Sequence, residues 1–154
     1  MLKWISLGLL ILSGTSSADS QQKRSIAIYF DNPALESAAL SREKAATLPF
    51  QEFPVVRVIK SSRPERQSIL ELLRGPTRAE VDSGYSTNLE RLTLSRFDLS
   101  KGKAALWLKG RLLLKGTLSG PRLRKQIEQT LMQFRSVRTV ILYVNGKKDF
   151  DSLK

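Results

Sequence analysis

The chain has 154 residues, 41% of them apolar, with 26 Lys and Arg against 14 Asp and Glu, no histidine, no cysteine and a formal net charge of +12. That length and apolar share suit one folded domain with a modest core. The two missing residue types exclude disulfides, cysteine metal sites, a lipidated cysteine, Ser-His and Cys-His dyads and nearly all zinc sites.

Residues 1–18 read as an export signal, with Lys3 at the positive start, Trp4 to Leu12 as the apolar run and Ser16-Ser17-Ala18 as the small-residue cleavage site. Cleavage releases a chain beginning at Asp19 into the periplasm or beyond the cell. Retention leaves a short anchor as the sole membrane contact. Residues 19–24 form a polar leader, a single domain is expected over 25–146, and 147–154 read as a tail.

Ser25 to Phe30 sets Ile26, Ile28 and Phe30 on one face and predicts the first strand. Asn32-Pro33 stops it, and Asn32 is placed to cap a short helix through Leu35, Ala39 and Leu40 to Lys44. Phe50 to Ile59 gathers Val55, Val56, Val58 and Ile59 around Arg57, a second strand leading straight into a helix. There, Ser62 with Glu65 three residues on spells a capping box, and Pro64 fits the first turn. Ile69, Leu72 and Leu73 mark the apolar side, and Gly75-Pro76 ends the helix.

Thr77 to Asn88 is turn-rich, tightest at Asp82-Ser83-Gly84, and reads as a loop. Leu89 to Leu99 alternates as a half-buried strand. Lys101-Gly102 is a tight turn into Lys103 to Leu108, where Ala104, Leu106 and Leu108 alternate with Ala105 and Trp107, so the two form a hairpin. Gly110 to Leu118 fits a short strand or a packed loop equally. Ser119 can cap a second helix with Pro121 in its first turn and Leu123, Ile127, Leu131 and Phe134 on one face. Val137 to Val144 is the last strand, and Asn145-Gly146 turns the chain after it. The fold class expected is α+β: a small mixed β-sheet with two main helices packed on one face, in the order β-β-α-β-β-α-β.

Residues Leu72-Leu73-Arg74-Gly75-Pro76-Thr77, then Gly84, then Gly102-Lys103-Ala104-Ala105-Leu106, and finally Gln126 to Leu131 through Val137, Val140 and Asn145-Gly146 together resemble the GerMN domain family. Within this pattern Leu73, Gly75, Pro76, Gly84, Asn145 and Gly146 are structural. The resemblance covers Ile26 to Gly146 and implies an extracytoplasmic, non-enzymatic module, similar to ring-building domains of envelope assemblies. It implies no catalytic, metal or cofactor-binding residues.

Three patterns suggest chemistry and each has a plainer explanation. Ser41-Arg42-Glu43-Lys44 matches the S-x-x-K of penicillin-interacting serine enzymes, but no S-D-N follows and Lys115-Gly116-Thr117 inverts the expected K-T-G, which points to coincidence. The acidic pairs Glu80 with Asp82 and Asp149 with Asp151 lack calcium-loop spacing and are explained by loops and turns. Trp107 can stack on a base, although an alternating strand residue more often packs beneath a helix.

Charge is divided unevenly along the chain. Residues 19–98 hold 12 cations and 11 acids, whereas 99–148 hold 12 and 1. A one-signed surface of this kind either keeps the protein in solution or attracts its counterpart. The candidate contacts are Lys103, Lys109, Arg111, Lys115, Arg122 and Lys125, with Arg122 and Lys125 on one side of the second helix. The function expected is an exported, non-enzymatic domain of the cell envelope that binds a protein partner or another copy through a strand edge. The alternative is a binder of anionic polymer: nucleic acid, glycan or lipid headgroup. No cofactor and no small-molecule substrate are expected.

Overall fold

A computed structural model describes residues 23–42, 51–112 and 119–148. The export signal, Lys44, most of the ambiguous segment after Gly110 with Lys115, and the Asp149/Asp151 pair lie outside the described residues. The elements are β1 (Lys23–Phe30), α1 (Pro33–Arg42), β2 (Phe53–Lys60), α2 (Pro64–Arg74), α3 (Arg78–Asp82), β3 (Leu92–Ser100), β4 (Lys103–Gly110), α4 (Ser119–Met132), β5 (Thr139–Val144) and β6 (Lys147–Lys148). The class is α+β, as the sequence patterns imply.

The strands form two sheets where one was expected. β1 and β2 make an antiparallel ribbon, and β3-β4-β5-β6 make a mixed four-stranded sheet in which β4 and β5 run parallel. Parallel neighbours need a long crossover, and α4 supplies it. The ribbon stays separate because side chains of α4 occupy the outer edge of β1. The Ala27 N–H donates to Gln133 Oε1 at 2.9 Å, Gln133 Nε2 donates to the Ala27 carbonyl at 2.7 Å, and the Tyr29 N–H donates to Thr130 Oγ1 at 3.2 Å. Three of the outward backbone groups of β1, at Ala27 and Tyr29, are thereby taken.

Helices α2 and α4 pack on each other and touch both the ribbon and the four-stranded sheet. Their apolar sides meet the inward residues of the strands in one core: Ile69, Leu72 and Leu73 from α2, Leu123, Ile127 and Leu131 from α4, Ile26, Ile28 and Phe30 from β1, Ala104, Leu106 and Leu108 from β4, and Val140, Leu142 and Val144 from β5. Periods of 3.6 on helices and 2 on strands place these residues. The hairpin turn at Lys101-Gly102 and the turn at Asn145-Gly146 both have positive φ at each position, the geometry that tight hairpins require.

Five local expectations are corrected. Pro64 opens α2, which makes Arg63 the capping residue and leaves Ser62 one position too early; Arg63 has no side-chain cap bond, and Glu65 instead accepts from Ser136 Oγ. The expected loop after Pro76 contains α3, because Thr77 and Glu80 form a reciprocal capping box. Lys23 and Arg24, placed in the leader, extend β1, and Lys147 and Lys148, placed in the tail, pair with β5. Trp107 lies on the sheet face opposite the helices, not beneath one.

Candidate functional site

Three groupings stand out from the fold: the outer edge of β2, a buried acidic cluster beside it, and the sheet face that no described helix covers. In the ribbon, Ala27 and Tyr29 turn their backbone groups away from β2, so the residues opposite them and at the same parity, Pro54, Val56 and Val58, turn theirs away from β1. Among the described residues no other backbone group bonds to this edge. Val56 and Val58 are 71% and 66% exposed, the most exposed large apolar side chains described. Pro54 removes one donor at the start of the edge and Lys60 places a charge at its end, so the pairing-competent stretch is short.

The inward side of β2 fixes that edge in place. Arg57 donates from Nη1 to the Glu71 carbonyl and to Glu71 Oε2, both at 3.2 Å, and from Nη2 to the Gly75 carbonyl at 3.0 Å and to Glu80 Oε2. One guanidinium thereby ties the strand to the end of α2 and the start of α3. Gly75 sits between them at φ +82°, where a Cβ would lie 3.1 Å from Glu90, so a side chain is disfavoured on two counts. Burial works to raise the Glu80 pKa, but hydrogen bonds from Arg57 and Thr77 together with the Arg57 charge outweigh it and hold the group below the usual carboxylate range.

Just before β2, Glu52 is 3% exposed and belongs to an acidic cluster with Asp31 and Glu36. Gln126 and Asp31 face Glu52 without closing a hydrogen bond of ordinary geometry on its carboxylate. Burial first, and the Asp31 charge second, push its pKa up to about 8. Arg122 answers the other two acids, donating to Asp31 Oδ1 at 3.1 Å and to Glu36 at 2.8 and 2.9 Å. Burial works against the Arg122 charge, yet these bonds raise its pKa overall. The cluster joins β1, α1 and α4.

On the uncovered face, one row of cross-strand neighbours reads Arg96, Trp107, Tyr143 and Lys148 across β3, β4, β5 and β6. The Trp107 and Tyr143 rings stack in parallel with centroids 4.9 Å apart, and the Arg96 guanidinium lies 4.7 Å from the Trp107 ring. Because β3 and β5 flank β4 on opposite sides, both faces of the indole are occupied.

The six predicted contacts divide, and one of them, Lys115, lies outside the described residues. Lys103, Lys109 and Arg111 are exposed on or beside β4. Arg122 is committed to Asp31 and Glu36, and Lys125, on the same helix, has an interaction partner. Of the structural residues, Leu73 is buried, and Gly84 at φ +90° packs against the Asn32 amide that also caps α1 and bonds the Ser83 carbonyl. The Asn145 side chain exchanges two hydrogen bonds with the backbone of Gly110. Reading the sequence missed Arg57, whose signal was a charge at the inward parity of a valine-rich strand. It also missed Glu52, for which no local pattern exists.

The patterns that suggested chemistry have other partners here. Ser41 Oγ donates to the Ser37 carbonyl, Glu80 is taken by Arg57 and Thr77, and Asp82 pairs with Arg78. A shallow cleft lined by Arg63, Glu65, Phe97 and Leu99 holds a single carboxylate, which is bonded to Ser136. Among the described residues no three side chains of metal-ligating type, the Glu52, Asp31 and Glu36 group included, are placed to hold a metal ion.

No curated protein matches the chain. Among solved structures it resembles the tandem GerMN domains of the sporulation protein GerM from Bacillus subtilis, with TM-score 0.55 and 19% identity over 88% of this chain and 43% of that one. It resembles equally the first of those domains alone, with TM-score 0.55 and 18% identity over 82% of this chain and 86% of that one. The chain thus spans less than half of the tandem structure. The sequence model of the family described as "Germane: Sporulation and spore germination" matches residues 27–150, and the chain belongs to that family.

Proposed function

We propose that this chain is a non-enzymatic docking domain of the cell envelope, working outside the cytoplasm, which binds a protein partner by adding a strand to the open edge of β2. Strand addition uses main-chain hydrogen bonds for affinity and alternate side chains for choice of partner. The carrying observation is the contrast between the two ribbon edges: α4 side chains bond β1 at Ala27 and Tyr29, while β2 presents Val56 and Val58 at 71% and 66% exposure. Natural sheets guard free edges with charges, prolines or bulges, and here the guards sit only at the ends, at Pro54 and Lys60. The export signal read over residues 1–18 supports a place outside the cytoplasm, and the family's description links the chain to sporulation and spore germination. A second copy of the chain is one admissible partner, and GerM, with its two such domains, is similar in carrying more than one.

The test is Val58→Pro. The Val58 N–H points away from β1, so proline leaves the ribbon ladder whole and removes a donor that an incoming strand needs. Crosslinking in intact cells followed by mass spectrometry, alongside light scattering of the purified chain, should show a protein partner or a self-associated species for the wild type and its loss in a folded Val58→Pro variant. A monomer with no crosslinked partner, or partners unchanged by the proline, overturns the proposal.

A further inference from the structure

We infer that the uncovered face of the four-stranded sheet binds a linear phosphate-bearing polymer of non-nucleic type, recognised by its charge alone. This face is distinct from the β2 edge. Among the described residues, helices α2 and α4 cover only the inward side, where Ala104, Leu106 and Leu108 are buried. Along the outward side of β4, Lys103 and Lys109 flank Ala105 and Trp107, and Lys101 and Arg111 continue the positive series beyond each end of the strand. All four cations are exposed. Six strand steps separate Lys103 from Lys109, about 20 Å. The centre of the face carries Arg96, whose partner Asp98 is the one acid on the described parts of β3, β4 and β5. Glu128, the only other acid described after Ser95, belongs to α4 and is bonded by Arg124. An extended polyanion laid along β4 therefore meets positive charge at both ends, with the Arg96–Asp98 pair between them.

The aromatic residues decide which polyanion. Protein surfaces that hold single-stranded nucleic acid offer open ring faces on which bases stack. Here Tyr143 and the Arg96 guanidinium occupy the two faces of Trp107, and the ladder is fixed by strand register. No base can stack on Trp107 without dismantling it. Phosphate contacts alone remain, which suits a polymer whose repeat has no planar ring.

The probe is fluorescently labelled poly(glycerol phosphate), titrated with the full chain by anisotropy at several salt concentrations. Four phosphate contacts give a slope of about −3 for log affinity against log salt, so raising salt from 50 to 200 mM weakens binding ~50-fold. Lys103→Glu with Lys109→Glu lowers affinity at least ~10-fold at 50 mM salt. A control pair on other surfaces, Lys23→Glu with Arg66→Glu, makes the same change in net charge and stays within ~3-fold of wild type. Equal losses in both pairs mean that net charge and not this face does the binding, and overturn the inference. So does an absence of binding at low salt. In the second arm, oligo(dT) of equal charge count is titrated in a Trp4→Phe background while Trp107 emission is followed. Weaker binding with unchanged emission supports the inference. Tighter binding with quenched emission identifies a base-reading surface and refutes it.

Discussion

Arg57→Met tests the lock that holds the open strand. The Arg57 and Glu71 side chains are each 11% exposed and Glu80 is 16% exposed, so the substitution leaves two nearly buried carboxylates without their shared cation. Breaking a buried pair costs about 3–5 kcal/mol. Glu71 keeps Arg74 and Gln67 as partners, which puts the loss near the lower figure. Roughly 3 kcal/mol is a large share of a small domain's stability and corresponds to a melting temperature lower by about 10 °C. The pH dependence is specific to the mechanism. Because the folded state holds the Glu80 pKa below its ordinary value, this group's stabilisation is present above the unfolded pKa of about 4.3 and is lost as pH falls through the folded value. The deficit of the Met variant should therefore shrink between pH 6 and pH 3. Adding Glu71→Gln and Glu80→Gln to Arg57→Met should recover at least half of it at pH 7, since the stranded charges are then gone. Urea unfolding followed by circular dichroism at both pH values supplies the numbers. A loss under ~1 kcal/mol, or a deficit independent of pH, refutes the account of Arg57 as the tie between β2, α2 and α3.

Glu52 has the opposite sign. With its pKa raised to about 8, its contribution is fully present below the unfolded value and is lost progressively as pH rises towards 8. The wild type should thus be more stable at pH 5.5 than at pH 8.5, and Glu52→Gln should flatten that profile, gaining on the order of 2 kcal/mol at pH 8.5 and little at pH 5.5; thermal melts across this range check it. Thr77→Ala removes the hydroxyl that accepts from the Glu80 N–H and should cost about 1 kcal/mol in urea unfolding, with far-UV circular dichroism nearly unchanged because α3 has five residues.

The core was readable because it is local. Ile69, Leu72 and Leu73 recur at helical spacing and Ala104, Leu106 and Leu108 at strand spacing, and each set faces inward with no information needed from elsewhere in the chain. Positions in hairpin turns were readable for the same reason. The capping box at Thr77 and Glu80 was equally local, but it follows Gly75-Pro76 in a segment rich in turn residues, where the loop reading prevailed. What could not be read was non-local. The division into two sheets depends on Thr130 and Gln133 bonding backbone groups more than a hundred residues earlier. Arg122 falls on the expected side of its helix, yet Asp31 and Glu36, far earlier in the chain, claim it, so helical spacing alone suggested an external ligand where the fold uses an internal one.

The same non-local bonds give the two surfaces their separate characters. Had α4 left β1 open, the ribbon would have presented two free edges, a template for indefinite strand addition and aggregation. Thr130 and Gln133 bond β1 at Ala27 and Tyr29, so the proposed docking is assigned to β2, and the Arg57 lock holds β2 to the helices so that its outward backbone groups keep a fixed register. On the four-stranded sheet the open face is satisfied differently, by a ladder in which cations and rings neutralise one another's exposed polar and apolar surface. That ladder leaves neither face of Trp107 open to a base. The two proposed ligands, a protein strand at the ribbon edge and a charged polymer on the sheet face, therefore use separate surfaces, and Val58→Pro should leave polymer binding unchanged.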